Sequence, residues 1–139
     1  MLRFLLDTDH LTLYDLGHPQ LTQRLAMHPS NTIAVSVVTV EESLRGRLSA
    51  LSRAPNGPTR IRRYAELVRT VQLFCQLPLV HFDQASENSF QQLRVLRLRI
   101  GTQDLKIAAI ALANNLTLLT RNRRDFARIP GLMEKPRRS

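Results

Sequence analysis

Four carboxylates set the chemistry open to this chain. They are Asp7 in Leu5-Leu6-Asp7-Thr8-Asp9, Glu42 in Thr39-Val40-Glu41-Glu42, Asp104 in Gly101-Thr102-Gln103-Asp104-Leu105, and Asp125 in Asn122-Arg123-Arg124-Asp125-Phe126. The chain has 11 acidic residues against 20 basic ones, so acids at strand or helix ends need a reason. Like charges that converge repel and lose solvation unless a cation lies among them. Hard divalent ions such as Mg2+ bind all-oxygen sets of this kind. Each acid also has a plainer reading. Asp7 or Asp9 N-caps a helix, the commoner role for an aspartate after a strand. Glu42 and Asp104 are first-turn acids that complement helix dipoles, and Asp125 pairs with Arg123, Arg124 or Arg128. Four such acids at compatible ends of successive units favour the metal.

Hydrophobic spacing predicts the frame that would gather them. Arg3–Leu6, Thr32–Val35, Leu79–Phe82 and Leu116–Thr120 read as strands, with Leu132-Met133 as an edge strand. A helix begins at Asp7, Thr8 or Asp9 and breaks at Gly17-His18-Pro19; Pro19 opens a second, to Met27. A third, capped by Ser36 or Thr39, carries the stripe Val40, Leu44, Leu48 and Leu51. After a Pro- and Gly-containing loop over Ser52–Pro58, Tyr64, Leu67, Val68, Val71, Phe74 and Cys75 form the clearest stripe, open to core or interface, with core the commoner fate. Asp83 caps a helix holding Phe90, Leu93, Leu96 and Ile100, ended by Gly101; Leu105–Leu112, with Lys106 as its only charge, predicts a deeply buried helix. A short turn surrounds Asp125.

This alternation predicts an α/β fold: a single domain over residues 1–134 with a central four- to five-stranded parallel sheet flanked by helices on both faces, and a basic tail over 135–139. In such sheets ligands collect beyond the carboxyl ends of the strands. Asp7 directly follows the first strand, and Asp125 lies just past Thr120. Glu42 falls about 160° from the stripe of its helix at ~100° per residue. Glu41 flanks that stripe, so periodicity selects Glu42 as the outward acid.

The formal charge is +9, and 18 of the 20 basic residues are arginine. Arginine's planar fork suits bidentate phosphate contact, so a polyanion is the favoured partner, with general solubility as the plainer reading. Aromatic content of 5% leaves little to stack bases. Cys75 is the sole cysteine, which forbids an internal disulfide and favours a reducing, cytoplasmic setting. No run approaches the ~20 apolar residues of a membrane span. No Gly-rich nucleotide loop is present. His10, His18, His28 and His81 lack ligand spacing, His81 reading as a strand-end core residue and Cys75 as an inert residue of its apolar stripe.

With these residues in place, the chain resembles the PIN-domain ribonucleases, and within them the VapC-like toxins of type II toxin–antitoxin pairs. Leu5-Leu6-Asp7-Thr8 is similar to the family's opening block, and Ser36–Gly46 to its second, with the acid three residues after Thr39. Ile100–Ala109 is the most specific match, followed by Leu118–Phe126 and Ile129-Pro130-Gly131-Leu132. The resemblance implies an endoribonuclease using Mg2+ or Mn2+, held by Asp7, Glu42 and Asp104, with Asp125 completing the set. Other branches place the last acid where this chain has Asn122. Thr120 would steady the carboxylates. Arg121, Arg123 and Arg45 are candidates for gripping RNA phosphates, as are Arg47, Lys106 and Arg124, with Arg121 the best placed. The resemblance also implies a homodimer and a cognate antitoxin covering the acidic pocket. One departure is Asp9, where the family usually has asparagine; a fifth acid there ligates the ion, caps the helix or repels phosphate. Two rival readings stand beside this one. Asp7-Thr8-Asp9 resembles the start of haloacid-dehalogenase-like phosphatases, although Leu11 and the two lysines depart from that pattern. A non-catalytic RNA- or partner-binding module of the same fold is the other.

Overall fold

Successive side chains leave a strand on opposite faces, and three short strands here are buried on both. The computed structural model describes residues 1–8, 32–120, 122–132 and 134–136. In β1 (Phe4–Leu6) Leu5 joins one core cluster while Phe4 and Leu6 join another. The same split separates Ala34 from Ile33 and Val35 in β2 (Ile33–Ser36), and Leu118 from Leu119 in β4 (Thr117–Thr120). A two-residue β3 (Leu79–Val80) and a β5 (Glu134–Pro136) complete a sheet of order β3-β2-β1-β4-β5, parallel throughout. The chain builds outward from β1 on one side and then resumes on the other. Its topological switch point therefore lies between β1 and β4, where open parallel sheets present their ligand crevice.

Among the described residues five helices cover the sheet: α1 (Val37–Ser52), α2 (Gly57–Gln76), α3 (Gln84–Val95), α4 (Thr102–Ala113) and α5 (Arg123–Phe126). Phe90 and Leu93 of α3, Leu105 and Ile107–Ala111 of α4, and Phe126 of α5 pack on one face. Val40 of α1 with Leu73 and Phe74 of α2 pack on the other. Side-chain caps start three helices: Ser36 accepts the Thr39 N–H at 3.1 Å, Asn56 that of Thr59 at 2.9 Å and Asp83 that of Ser86 at 2.9 Å. The Ser86 backbone bond, then the Ser86 hydroxyl, hold the exposed Asp83 carboxyl below the usual range. Pro130 and Gly131, the latter at φ +79°, turn the chain toward β5; glycine takes that backbone conformation without steric cost.

Several elements differ from expectation. The helix after Asp83 stops at Val95 instead of running to Ile100, because Arg97 adopts φ +52°, a left-handed conformation that ends a helix. Gly101 instead occupies the N-cap position of α4. The last strand falls at Glu134–Pro136, not Leu132-Met133, and takes in Lys135 and Pro136 of the expected tail. Most of the stripe on α2 is not core: Tyr64, Val68, Val71 and Cys75 are exposed, Phe74 alone of the stripe packs against the core, and Thr70 is the helix's buried residue. The reason lies in how α2 is held. Leu73 and Phe74 meet the sheet side, while Arg47 of α1 reaches Thr70 Oγ1 at 3.0 Å and Glu66 Oε2 at 3.2 Å. His81 is exposed as well, since β3 ends at Val80. The helices expected over 8–27 fall, except for Thr8, outside the described residues.

Two substitutions separate core from surface. Phe126→Ala, at a side chain 1% exposed, should cost about 3–5 kcal/mol of unfolding free energy. Val71→Ser on the open stripe should change it by less than about 0.5 kcal/mol. Urea unfolding of each variant measures both; equal losses would restore α2's stripe to the core.

Candidate active site

Every described strand of a parallel sheet ends on one edge, and helices that return antiparallel begin there. Asp7 is the first residue past β1, and its backbone N–H still bonds to Leu119 of β4 at 3.2 Å. Its side chain is only 5% exposed. A carboxylate so buried needs donors to replace lost water. Thr120, fully buried at the end of β4, donates its hydroxyl to Asp7 Oδ2 at 2.5 Å, across the switch point. The direction of that bond is fixed. Thr120 Oγ1 accepts the Asn122 backbone N–H at 2.9 Å, and an amide can only donate, so the hydroxyl hydrogen is committed to the carboxylate.

The second acid is held by a parallel device. Thr8, directly after Asp7, donates to Glu42 Oε1 at 2.8 Å. Glu42 is half-buried and Glu41 exposed, the reverse of the periodicity argument. The physical reason is that α1 presents Val38 and Thr39 to the interior, and Glu42 lies one turn beyond them on the same face. Leu48, on the expected stripe, is 55% exposed.

Asp104 stands in the first turn of α4, half-buried. Its neighbour Gln103 donates Nε2 to Glu41 Oε1 at 2.9 Å, so the starts of α1 and α4 touch beside Glu42 and Asp104. Glu41 also accepts Arg45 at 2.6 Å, and Lys106 donates to Gln103 Oε1 at 3.1 Å. Gln103's hydrogen bond chiefly, with the charges of Arg45 and Lys106, holds the Glu41 carboxyl below its usual range. Sequence reading passed over Thr8 as a support for Glu42, and over the contact between Glu41 and Gln103. Their partners lie 34 and 62 residues away, so only topology reveals them.

Asp125 occupies a different setting. It accepts Asn122 Nδ2 at 3.0 Å and Arg128 at 3.1 Å, the surface ion pair that was its plainer reading. Asn122 thus serves Thr120 with its backbone and Asp125 with its side chain. Of the arginines expected to meet RNA, Arg123 and Arg124 are exposed at the start of α5, Arg45 is exposed but paired with Glu41, and Arg47 is turned inward to α2. Arg121 and Asp9 lie outside the described residues.

Asp7, Glu42 and Asp104 offer only hard oxygen donors, the chemistry that suits Mg2+ or Mn2+. Among the described residues no three acid, histidine or cysteine side chains are drawn close enough to form a finished cation site. The fit is therefore in donor type and in placement at one sheet edge.

A PIN-domain family model matches residues 5–132. The chain is 33% identical over 104 residues to Ribonuclease VapC1 of Rickettsia felis, covering 70% of this chain and 71% of that protein. Its fold superposes on the crystal structure of VapBC2 from Rickettsia felis bound to a promoter DNA fragment, with TM-score 0.78, 25% identity and coverage of 97% and 98%. VapBC-1 of nontypeable Haemophilus influenzae shares the fold at TM-score 0.77 and 20% identity, covering 99% and 100%. No helix of the described residues is long and apolar enough to cross a membrane. Family model, sequence and fold agree on one assignment: the chain belongs to the PIN-domain family, as a homologue of the VapC ribonuclease toxins of VapBC toxin–antitoxin systems.

Proposed function

We propose that this VapC-like ribonuclease is an endoribonuclease dependent on Mg2+ or Mn2+, with Asp7, Glu42 and Asp104 as the cation's ligands. The observation that supports the reading is the bond from Thr120 to the buried Asp7, an oriented carboxylate at the strand end beside the sheet's switch point. When bound, a divalent cation supplies the positive charge that phosphodiester hydrolysis lacks and eases ionisation of water. The chain's own residues do the rest. Thr120 fixes the rotamer of Asp7, so its remaining oxygen keeps a set direction. Thr8 does the same for Glu42. The first-turn amides of α4 make the charge of Asp104 tolerable before any ion arrives. Arg123, Arg124 and Arg121 are placed by sequence just past Thr120, where they would grip the phosphates flanking the scissile bond. Arg45 joins them only by leaving Glu41, a small cost for an exposed pair. Asp125 is the outermost candidate, since it must release Arg128 to reach an ion.

The partner follows from the relatives. VapBC2 of Rickettsia felis and a toxin–antitoxin complex of Klebsiella pneumoniae were both solved as assemblies. The proposed partners here are RNA, a cognate antitoxin that silences the acidic crevice, and a second copy of the chain. Membership of the PIN family removes support from the phosphatase reading.

Purified chain should cleave RNA internally with Mg2+ or Mn2+, stop with EDTA and resume when the metal is returned in excess. Asp104→Asn should lower cleavage at least about 100-fold, beyond what loss of a supporting contact costs a metal site. Binding of RNA without metal-dependent cleavage would identify a non-catalytic module instead. A second outcome concerns Thr120. Thr120→Val should lower cleavage about tenfold and cost about 1.5–3 kcal/mol of stability, the range for a hydrogen bond to a charged group. Unchanged kinetics would remove the hydroxyl from the site. Asp125→Asn should lose less activity than Asp104→Asn in the same assay. Induced expression should arrest growth and leave new RNA ends, both absent with Asp7→Ala.

A further inference from the structure

We propose that the Glu41–Gln103 bridge is a positioning device that sets the spacing of Glu42 and Asp104, and with it the affinity for a divalent cation. The inference rests on the metal-site reading above and adds residues that reading does not contain. Glu42 follows Glu41 on α1, and Asp104 follows Gln103 on α4. α1 continues directly from β2, whereas α4 begins after the turn that ends α3, and the two helices share the core cluster that holds Val38 and Leu105. A side-chain hydrogen bond of 2.9 Å joins the residues next to the two acids.

The bridge is oriented from both sides. Lys106 can only donate, so Gln103 turns its carbonyl oxygen to Lys106 at 3.1 Å. The amide nitrogen then faces Glu41, whose carboxylate can only accept. The other carboxylate oxygen of Glu41 is taken by Arg45 at 2.6 Å. Arg45, Glu41, Gln103 and Lys106 thus form one connected chain in which Lys106 donates to Gln103, and Gln103 and Arg45 both donate to Glu41. It also keeps Glu41, a fifth acid beside the site, turned toward Arg45 and Gln103 instead of competing with Glu42. Because the Glu41–Gln103 bond is exposed, it adds little to folding stability. Its effect falls on placement: supporting contacts that orient ligand-bearing groups tune metal affinity.

Equilibrium binding of Mn2+ to the full chain without RNA, read by the electron paramagnetic resonance of free Mn2+, tests this. Gln103→Ala should weaken binding about tenfold while leaving the urea midpoint in EDTA unchanged. Gln103→Glu should weaken it further, because it sets one carboxylate against another. Glu41→Gln keeps an acceptor for Gln103 and should stay within about twofold of the parent, as expected for loss of an exposed charge pair alone. Wild-type affinity in Gln103→Ala would overturn the proposal, and so would a weakened variant whose unfolding midpoint falls in parallel. Asp104→Asn separates the two ideas. If it abolishes Mn2+ binding while Gln103→Ala binds as tightly as the parent, the bridge alone is refuted; if the parent chain fails to bind Mn2+, the metal site itself is refuted.

Discussion

Asp7 is a carboxylate at the end of a strand whose three residues are all buried, and the structure around it follows from keeping that charge tolerable. Moving a carboxylate out of water costs several kcal/mol unless donors or cations replace the lost solvent. Thr120 is one such donor, and it can serve only because β4 lies beside β1 in register, with Leu6 opposite Leu119. A slip of one residue would turn Thr120 to the other face and leave Asp7 without that hydroxyl. Strand register and site chemistry are therefore the same constraint. The Asn122 amide behind Thr120 polarises the hydroxyl further, since hydrogen bonds in series strengthen one another.

Topology then recruits the remaining acids without long-range design in any one of them. Helices that cover a parallel sheet run back against its strands, so their N-termini gather at the strands' carboxyl ends. Glu42 and Asp104 are each within the early turns of such helices. Exposed amides at the start of α4 favour the first-turn charge of Asp104, whereas α1 has no acid in its first turn and Glu42 lies beyond it. What distinguishes a site from a set of first-turn acids is orientation. Thr8 on Glu42 and Thr120 on Asp7 provide it, each aimed by a residue adjacent to a strand end.

Local chemistry in the sequence revealed the strands, the buried helix around Leu105–Ala111 and the Ser36 and Asp83 caps, because apolar runs and cap residues act over a few positions. Asp7 and Thr120 could be placed at strand ends for the same reason. The failures share a cause. The stripe on α2 has helical spacing, yet spacing alone cannot say which of two faces a sheet will cover; Thr70 and Phe74 face inward while Val68 and Val71 do not. Glu42 was assigned outward from the stripe of Val40, Leu44 and Leu48, but Val38 and Thr39 form the buried face and carry Glu42 with them. Arg97 could not be foreseen as a helix terminator, since nothing in arginine favours φ +52°. The Glu41–Gln103 contact spans 62 residues and is invisible without the fold.

The arginine excess takes on a different meaning once its partners are known. Arg47 and Arg63 clamp Glu66, Arg128 holds Asp125, and Arg45 holds Glu41, so several guanidinium groups act as struts within the chain. Glu66 serves two of these arginines, so the four pairs engage four cations and three anions, and the net +9 is untouched by them. The surplus is carried by exposed residues on several elements, among them Arg60 and Arg62 on α2, Arg94, Arg97 and Arg99 at the end of α3, and Arg123 and Arg124 on α5. A field spread so widely attracts a polyanion from any side and falls with added salt. It cannot by itself choose a phosphate. On the proposed reading, the selection of a scissile bond falls to the edge where Asp7, Glu42 and Asp104 stand, with broad positive charge delivering the substrate.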